Sequence, residues 1–218
     1  LEEIFVANVE HSREEVEADQ RVRILMAVAD TMSTQGYVNT PVADIISSAG
    51  VSRATYYSMF TDKLDAFLAA FDFVGELLVS SMATATGEDG TPFEKVERAM
   101  NAYLQAIAAQ PGYARLFLIE VYAAGPEAIG RRHAVQARLV EDLADMLGAT
   151  TDSARFACQV IVTSVSAMLV GPLIAGDPQA VLALGGEAIR RGFVPLAPIL
   201  DEVVEMLEES QGKGLTGI

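Results

Sequence analysis

The sequence predicts an all-α fold in which a small helix-turn-helix domain joins a larger helical domain. Apolar residues recur every three or four positions, no useful run alternates apolar and polar side chains, and Gly or Pro separates the helical segments. With 218 residues, 51% of them hydrophobic, the chain can bury a large core. We expect an acidic, poorly ordered leader at 1–20, the helix-turn-helix domain at 21–66, the larger domain at 67–210 and a flexible tail at 211–218.

The first predicted helix runs from Arg21 to Gln35 and supplies part of the core of the small domain. Gly36 follows at a position where a helix would end. The residues before Arg21 are acidic and only weakly periodic, which is why the leader is expected to be poorly ordered. The apolar stripe of this helix consists of Val22, Leu25, Val28, Ala29 and Met32.

The stretch TPVADIISSAGVSRATYYSMFTDK, residues 40–63, has the spacing of a helix-turn-helix. Thr40 is predicted to cap the first short helix, with Pro41 at a position where a missing N–H costs little. Gly50 allows the sharp turn, and Ser52 caps the second short helix, SRATYYSMF. Two short helices joined in this way place the second one in the major groove of DNA.

The larger domain is predicted to consist of helices that begin at caps and end at Gly or Pro. Asp62 caps a long helix, and Thr91 followed by Pro92 starts the next one. Pro-Gly and Gly-Pro breaks then delimit a short helix and a longer one that ends near Leu147. Two further helices, PQAVLALGGEAIRR and ILDEVVEMLEES, precede the tail.

The segment from Phe156 to Ala175 carries no charge and is long enough to span a membrane. Its Ser, Thr and Gln residues, its Gly-Pro break and the lack of a basic cluster or aromatic belt beside it argue against a span. We therefore expect no membrane contact. The segment is predicted to be a central helix, buried on all sides, that also contacts a second subunit.

The charges are unevenly distributed along the chain. Fifteen Lys and Arg residues against thirty Asp and Glu residues give a net charge of −15, which repels phosphate at long range. Residues 21–63, however, hold four basic and three acidic residues. This weakly basic segment predicts modest affinity for each DNA half-site and a need for a homodimer.

Catalysis and metal binding find little support in the sequence. The single cysteine, Cys158, and two histidines provide no disulfide framework and no Cys/His metal cluster. No paired-carboxylate motif or phosphate-binding loop is present either. We expect a cytoplasmic protein that is not an enzyme and uses no cofactor or metal, with Cys158 buried in an apolar helix. The acidic first residues, LEEIFVANVE, do not resemble a signal peptide.

The run ILMAVADTMSTQGYVNTPVADIISSAGVSRATYYSMFTDKLDAF resembles the N-terminal domain of TetR-family transcriptional regulators. The shared features, in order, are a Gly-Tyr pair, a capping Thr, an Ile-rich helix, Ala-Gly-Val-Ser, Thr-x-Tyr, Phe and Lys. The resemblance implies a dimeric repressor that leaves its double-stranded operator DNA when a small, mostly apolar effector binds. It also implies an all-α ligand-binding and dimerisation domain in the rest of the chain.

The resemblance also carries DNA-contacting roles to particular residues. Arg53 would read guanine in the major groove, where a guanidinium can make two hydrogen bonds. Thr40, Thr55, Tyr57 and Lys63 would contact phosphates, which positions the protein without specifying sequence. The implied DNA-binding set is Thr40, Ser52, Arg53, Ala54, Thr55, Tyr57, Ser58 and Lys63.

Three residues depart from the family pattern. Ile46 stands where alanine is preferred at the crossing of the two short helices, Met59 replaces a histidine or aromatic residue, and Ala43 replaces a basic one. Together with the net charge, they keep an alternative open. The chain would then be a ligand-sensing or interaction protein of the same fold with weak or lost operator binding.

The resemblance further implies a ligand pocket between helices of the larger domain. Glu120 is either a solvent-facing residue or a buried acid that faces the ligand, and we expect the first because buried carboxylates are rare. The candidate lining residues are Tyr103, Ile107, Tyr113, Phe117, Tyr122, Met146, Phe156, Thr163 and Met168.

Overall fold

The computed structural model describes residues 13–187 of the chain. Within that range the protein is all-α, as predicted, with eleven α-helices, one π-helical turn and no strand. Residues 1–12 and 188–218, which include the predicted helix ILDEVVEMLEES and the tail, lie outside the described range, so the predictions for them stay predictions. The elements are α1 (Arg13–Gln35), α2 (Val42–Ala49), α3 (Arg53–Met59), α4 (Lys63–Thr86), α5 (Pro92–Ala109), α6 (Pro111–Arg115), the π-helical turn π1 (Leu116–Glu120), α7 (Val121–Ala124), α8 (Pro126–Leu147), α9 (Asp152–Met168), α10 (Val170–Ala175) and α11 (Pro178–Glu187).

Helix α1 begins at Arg13, so the expectation of a poorly ordered leader is wrong for residues 13–20. Glu14 and Glu15 lie in its first turn, where negative side chains interact favourably with the helix dipole. The predicted apolar stripe of this helix is confirmed except at Val22, which is exposed. The buried face of α1 comprises Ile24, Leu25, Ala27, Val28, Ala29 and Met32.

Helices α1 to α3 form a small unit that we call the head. Gly50 ends α2 in the left-handed conformation, with φ of 62°, and the Ser52 hydroxyl accepts a hydrogen bond from Thr55 N, so both predictions are confirmed. Tyr56 and Phe60 are buried in the head, as expected of core residues. The turn and the cap thus arise from the residues at those positions.

The predicted capping role of Thr40 is wrong. Helix α2 starts at Val42 with Pro41 before it, and no side chain caps it. Thr40 lies one residue too early, is buried, and donates its hydroxyl proton to Gly36 O over 2.7 Å. The residue therefore stabilises the connection between α1 and α2.

Helix α4 leaves the head and enters the larger helical unit, α4 to α11, which we call the body. Asp62 caps it as predicted and accepts a hydrogen bond from Asp65 N at 2.9 Å. Phe67, Phe71 and Val74 lie on its buried face. One continuous apolar core runs from α1 through α4 and π1 to α11, so head and body share α4 as a common support.

The body follows the predicted order of helices. Thr91 and Glu94 form a reciprocal capping box at the start of α5, with Pro92 in its first turn. Gln110 and Gly125 separate the short helical stretch of α6, π1 and α7 from its neighbours. The π-helical turn inside this stretch has no counterpart in the sequence prediction.

The prediction that the apolar segment after Asp152 is buried on all sides is wrong. In α9 the buried residues are Cys158, Val165 and Ser166, whereas Phe156 and Met168 are each more than half exposed. Both α4 and the stretch Asp152–Ala175 are long and apolar enough to cross a membrane by length and composition alone, which is weak evidence for a span. Apolar composition predicts burial, but residues 13–187 bury only a small part of the apolar surface of α9.

Candidate nucleic-acid interface and ligand cavity

Helix α3 presents an exposed face that includes most of the residues predicted to contact DNA. Ser52, Arg53, Ala54, Tyr57 and Ser58 are exposed, while Thr55 is half-buried. The opposite side of α3 is anchored by Tyr56, whose hydroxyl donates to Asp62 O at 3.1 Å. The helix is therefore fixed on one side and open on the other.

Arg53 is the cation that this exposed face offers. Its guanidinium lies 5.3 Å from the centroid of the Tyr57 ring, a cation–π contact that restricts the two side chains without using the N–H groups. Tyr57 in turn packs edge-on against Tyr56, with centroids 5.2 Å apart. Arg53 is thus held over an aromatic ring with its hydrogen-bond donors available for a base edge.

The hydroxyl groups near α3 already make hydrogen bonds within the head. Ser52 Oγ and Thr55 Oγ1 lie 2.8 Å apart and share one hydrogen bond, and Ser58 Oγ donates to Thr55 O at 2.8 Å. These contacts order the hydroxyls along the outer face. Ser52 and Thr55 can therefore meet a phosphate only in addition to their local roles.

Lys63 is placed differently from the prediction. Its ammonium donates to Tyr37 O at 2.8 Å, to Thr40 O at 3.1 Å and to Val38 O at 3.4 Å, and it lies 4.5 Å from the Tyr37 ring centroid. Three carbonyl acceptors use the three N–H groups of the ammonium. The predicted phosphate contact does not fit this geometry, in which Lys63 binds the loop between α1 and α2 to the start of α4.

Two arginines of α1 also have partners within the head. Arg23 Nη2 donates to Ala49 O at 2.5 Å and to Gly50 O at 2.8 Å, which satisfies carbonyls at the end of α2. Arg21 lies 4.8 Å from the Phe60 ring centroid. Of the four cations between residues 21 and 63, Arg53 alone belongs to the exposed face of α3, which agrees with modest affinity for each head.

The body contains a cavity of about 410 Å³ between α4, α5, α8 and α9. Three methionines contribute to its wall, and methionine adapts easily to the shape of a bound molecule. Its volume lies within the range of small-molecule sites. The lining residues are Val79, Met82, Ala83, Thr86, Val96, Ala99, Met100, Tyr103, Arg138, Leu139, Asp142, Leu143, Asp145, Met146, Ile161, Val162, Val165 and Ser166.

Two of the nine predicted pocket residues, Tyr103 and Met146, line this cavity. Ile107 and Phe117 are buried in the apolar core instead, and Tyr113 packs against that core. Tyr122, Phe156, Thr163 and Met168 are exposed and do not line this cavity. Periodicity identifies inward faces but does not identify which faces enclose a space.

The charged residues of the cavity wall all belong to α8. Arg138, Asp142 and Asp145 are exposed, whereas the deeper wall is apolar apart from Thr86, Tyr103 and Ser166. Their spacing places them along one side of the helix. Among the described residues the wall therefore carries one positive and two negative side chains.

Tyr103 brings a polar group into the apolar wall. Burial raises the pKa of its hydroxyl to about 12, while the Arg132 charge and the Ser166 hydroxyl partly oppose that rise. Arg132 is itself buried and donates to Phe117 O at 3.0 Å. A buried guanidinium is thus bonded to π1, and its charge acts on the Tyr103 hydroxyl.

Glu120 is buried, so the expectation that it faces solvent is wrong. It does not line the cavity either. Its Oε2 accepts a hydrogen bond from Tyr37 N at 2.7 Å, and its Oε1 lies 3.9 Å from Arg115 Nη2. This carboxylate joins the body to the head, a role that sequence reasoning missed because its partner is 83 residues away.

Cys158 is a free, buried thiol, as predicted. Burial raises its pKa, which lowers the fraction of reactive thiolate. Among residues 13–187 no group of three or more His, Cys, Asp or Glu side chains could hold a metal ion.

Comparison with known proteins gives a consistent result. Residues 24–70 match the family described as bacterial regulatory proteins, tetR family. The nucleoid occlusion factor SlmA of Marinomonas sp. (strain MWYL1) is 25% identical over 109 residues, which cover 50% of this chain and 55% of that protein. The chain thus matches just over half the length of this curated relative.

Solved structures share the architecture. The fatty acid degradation regulator FadR from Bacillus halodurans is 20% identical, with a TM-score of 0.69 over 78% of this chain and 95% of that one. FadR from Bacillus subtilis, solved in complex with stearoyl-CoA, is 18% identical, with a TM-score of 0.65 over 79% and 98%. At these identities the likeness shows a common fold. The match over residues 24–70 identifies this segment as a tetR-family N-terminal domain, and the solved structures show that the described chain shares the fold of tetR-family regulators.

Proposed function

We propose that this protein is a homodimeric repressor of the TetR family that binds operator DNA through α3 and leaves it when an apolar effector occupies the cavity of the body. The observation that carries the proposal is the exposed α3 face with Arg53 held over Tyr57. The match over residues 24–70 supports the DNA-binding part of the proposal. As a DNA regulator, the protein would work in the cytoplasm.

Arg53 is proposed to read a guanine, while Tyr57 and the hydroxyls around it position the head on the phosphates. A bidentate arginine–guanine contact contributes about 1–3 kcal/mol of discrimination. Lys63 and Thr40 are left out of this set because their donors bind carbonyl groups of the head.

A homodimer is proposed because one head has limited electrostatic attraction for DNA. Two heads on one dimer contact two half-sites, whose spacing then contributes to specificity. The exposed apolar side of α9 and α10, with Phe156, Met168 and Ile174, offers a surface for the second copy. The alternative, a protein of this fold without operator binding, remains an outcome of the first experiment below.

That experiment selects duplexes from a random library and measures affinity for the chosen duplex and for a scrambled one by fluorescence anisotropy. Arg53→Ala should lower the ratio of the two affinities by about 5- to 150-fold, the equivalent of about 1–3 kcal/mol. Lys95→Ala removes a positive charge from α5 and should leave the ratio unchanged. Equal loss on both duplexes would reassign Arg53 to phosphate contact, and the absence of any salt-sensitive specific complex would support the alternative.

The effector is proposed to be mostly apolar, with a neutral or cationic polar group near α8. The supporting observation is the lining itself, in which Asp142 and Asp145 outnumber Arg138. The Bacillus subtilis neighbour holds stearoyl-CoA, which is anionic, so this chain would differ from it in the charge that it prefers.

Three ten-carbon probes test this preference in a thermal-shift assay. 1-Decanol and decylamine should raise Tm more than decanoate does, because the carboxylates repel an anionic group. Asp142→Asn combined with Asp145→Asn should reduce that difference. A larger shift with decanoate in the unmodified protein would reverse the proposed preference.

A further inference from the structure

We propose that Glu120 and Arg132 link the ligand cavity to the head, with Glu120 as the positioning residue through which cavity occupancy alters operator binding. The proposal rests on the repressor function proposed above for its biological meaning. Its structural basis has two parts. Buried polar contacts place Arg132 and Glu120 on π1 and join Glu120 to the backbone of Tyr37, and the cavity residue Tyr103 belongs to the same apolar core as Phe117 of π1.

The contact in the head is the peptide N–H of Tyr37. Glu120 Oε2 accepts this N–H at 2.7 Å, while the Tyr37 carbonyl accepts from Lys63 at 2.8 Å. Gly36 precedes it with φ of 80°, and a Cβ there would lie 3.5 Å from Glu120 Oε2. A peptide held on both sides transmits a displacement of Glu120 to the connection between α1 and α2.

The carboxylate itself is firmly placed. Glu120 is only 7% exposed, and Arg115 lies beside its second oxygen. Arg115 Nε also donates to Ser33 O at 3.0 Å, close to the end of α1. Removing a buried carboxylate from such partners is costly, so Glu120 is expected to move together with its surroundings.

The contact at the cavity is Tyr103, whose side chain forms part of the wall. Tyr103 belongs to the same apolar core as Phe117, and the buried guanidinium of Arg132 donates to Phe117 O at 3.0 Å. A molecule that displaces Tyr103 therefore disturbs the core around Phe117, to which Arg132 is bonded. Arg132 in turn holds a carbonyl of π1.

The two contacts meet in π1, the π-helical turn that contains both Phe117 and Glu120. Turns of this type interrupt the regular α-helical ladder and are frequent at functional sites. The Phe117 ring also stacks on Phe71 of α4, with centroids 4.6 Å apart and an angle of 10° between the rings. A shift of π1 would thus act on Tyr37 directly and on the helix that supports the head.

The aromatic neighbours provide a second connection along the same direction. Tyr37 packs edge-on against Phe67 at 5.2 Å, and Phe67 lies 6.5 Å from Phe71. These rings stabilise α4 against the head but carry no directed hydrogen bond. Substitution of Glu120 removes the polar connection to Tyr37 and leaves the aromatic contacts in place. It therefore tests the two connections separately.

The experiment fills the cavity by substitution, so no effector has to be known. Val162→Phe adds a ring at a lining position of α9, and Ala99→Leu repeats the perturbation from α5. We measure affinity for the selected operator by fluorescence anisotropy and amide hydrogen exchange across residues 36–40. Each substitution should weaken operator binding about fivefold or more and should speed exchange at the Tyr37 amide.

The same substitutions are then made in Glu120 variants. In Glu120→Ala, cavity filling should change neither operator affinity nor Tyr37 amide exchange any further. The ratio of the operator affinities without and with the cavity-filling substitution should then be about one. Glu120→Gln keeps an oxygen acceptor for Tyr37 N–H and should restore part of the response. Glu127→Gln removes an exposed carboxylate, 3.8 Å from Arg131, and should keep the full response.

Equal weakening by cavity filling in wild type and in Glu120→Ala would overturn the proposal, because Glu120 would then contribute only to folding. Unchanged Tyr37 exchange in both cavity-filled proteins would overturn it as well. If Glu120→Ala fails to fold, Glu120→Gln carries the comparison. If wild type binds no selected duplex, the repressor function fails, and the exchange measurement still decides whether cavity and Tyr37 are connected.

Discussion

Helix α4 and the segment Asp152–Ala175 are both 24 residues long and similarly apolar, yet the protein uses them differently. In α4, 44% of the most apolar stretch is buried, against 22% in the segment of α9 and α10. Helix α4 packs between α1, π1, α5 and α8, whereas α9 packs mainly on α8 and α10. Similar apolarity therefore leads to a core helix in one place and to an open surface in the other.

This contrast shows that apolar composition predicts that a helix face will be buried. It does not predict which part of the molecule, or which partner, buries it. For α4 the source is the chain itself, through Phe67, Phe71 and Val74. For α9 we propose a second copy of the chain, which is consistent with exposed Phe156 and Met168. Substitutions in α4 should accordingly affect the folding equilibrium, and substitutions on the exposed side of α9 should affect dimerisation.

The largest expected effect comes from Phe71→Ala in α4. Phe71 is fully buried and stacks on Phe117, so truncation should lower the free energy of unfolding by about 3–5 kcal/mol. Phe156→Ala is the matched substitution in α9 and should change it by less than about 0.5 kcal/mol at concentrations where the protein is monomeric. Urea denaturation of both variants measures this contrast. Similar losses of unfolding free energy in the two variants would contradict it.

The next effect concerns the exposed side of α9. Phe156→Glu together with Met168→Glu should weaken dimerisation by about 2–4 kcal/mol, because charges would be buried without partners. Analytical ultracentrifugation measures the dissociation constant, and circular dichroism checks the fold. Phe93→Glu, at an exposed position of α5, is the control. An unchanged dissociation constant would place the dimer contact elsewhere.

A smaller effect is expected at the helix starts. Asp62 caps α4 and Thr151 caps α9, each by accepting a backbone N–H. Asp62→Ala and Thr151→Ala should each cost about 0.5–2 kcal/mol of unfolding free energy, since a local cap depends little on burial of the helix that follows. Thermal and urea unfolding provide the measurement. A much larger loss at Asp62 than at Thr151 would show that the cap of α4 also supports the head.

The smallest effect should appear in thiol labelling of α9. Burial raises the pKa of Cys158, so less thiolate forms at a given pH and maleimide should react slowly, with a rate that still increases above neutral pH. A reporter cysteine, Ser164→Cys combined with Cys158→Ser, lies at an exposed position and should react fast in the monomer. Protection of this reporter as protein concentration rises would locate the dimer contact. Fast reaction of Cys158 itself would mean that α9 opens readily.

Much of the head could be predicted from the sequence because its signals are local. Ser52 and Asp62 cap the helices that follow them within three residues, and Gly50 supplies the left-handed turn. Thr40 shows the limit of this reasoning, since a shift of one residue in the start of α2 turns a predicted cap into a buried loop contact. Lys63 was misassigned because its carbonyl partners lie 23–26 residues away.

The body was predictable in its helices but not in its site. Of the predicted pocket residues, Tyr103 and Met146 line the cavity, whereas Tyr122 is exposed. The cavity exists only where four helices fail to fill the space between them, and no pattern within one helix records that. Glu120 was misplaced for a related reason, because the general rarity of buried carboxylates outweighs any local signal.

The bond between Glu120 and Tyr37 ends on a main-chain amide, and this has a consequence for protein engineering. Every amino acid except proline supplies that N–H, so the contact places no other demand on the side chain at position 37. A head from another regulator could therefore be grafted onto this body without redesigning the joint, provided that its loop follows the same path. Heads of different operator preference could then be exchanged while the sensing body is retained.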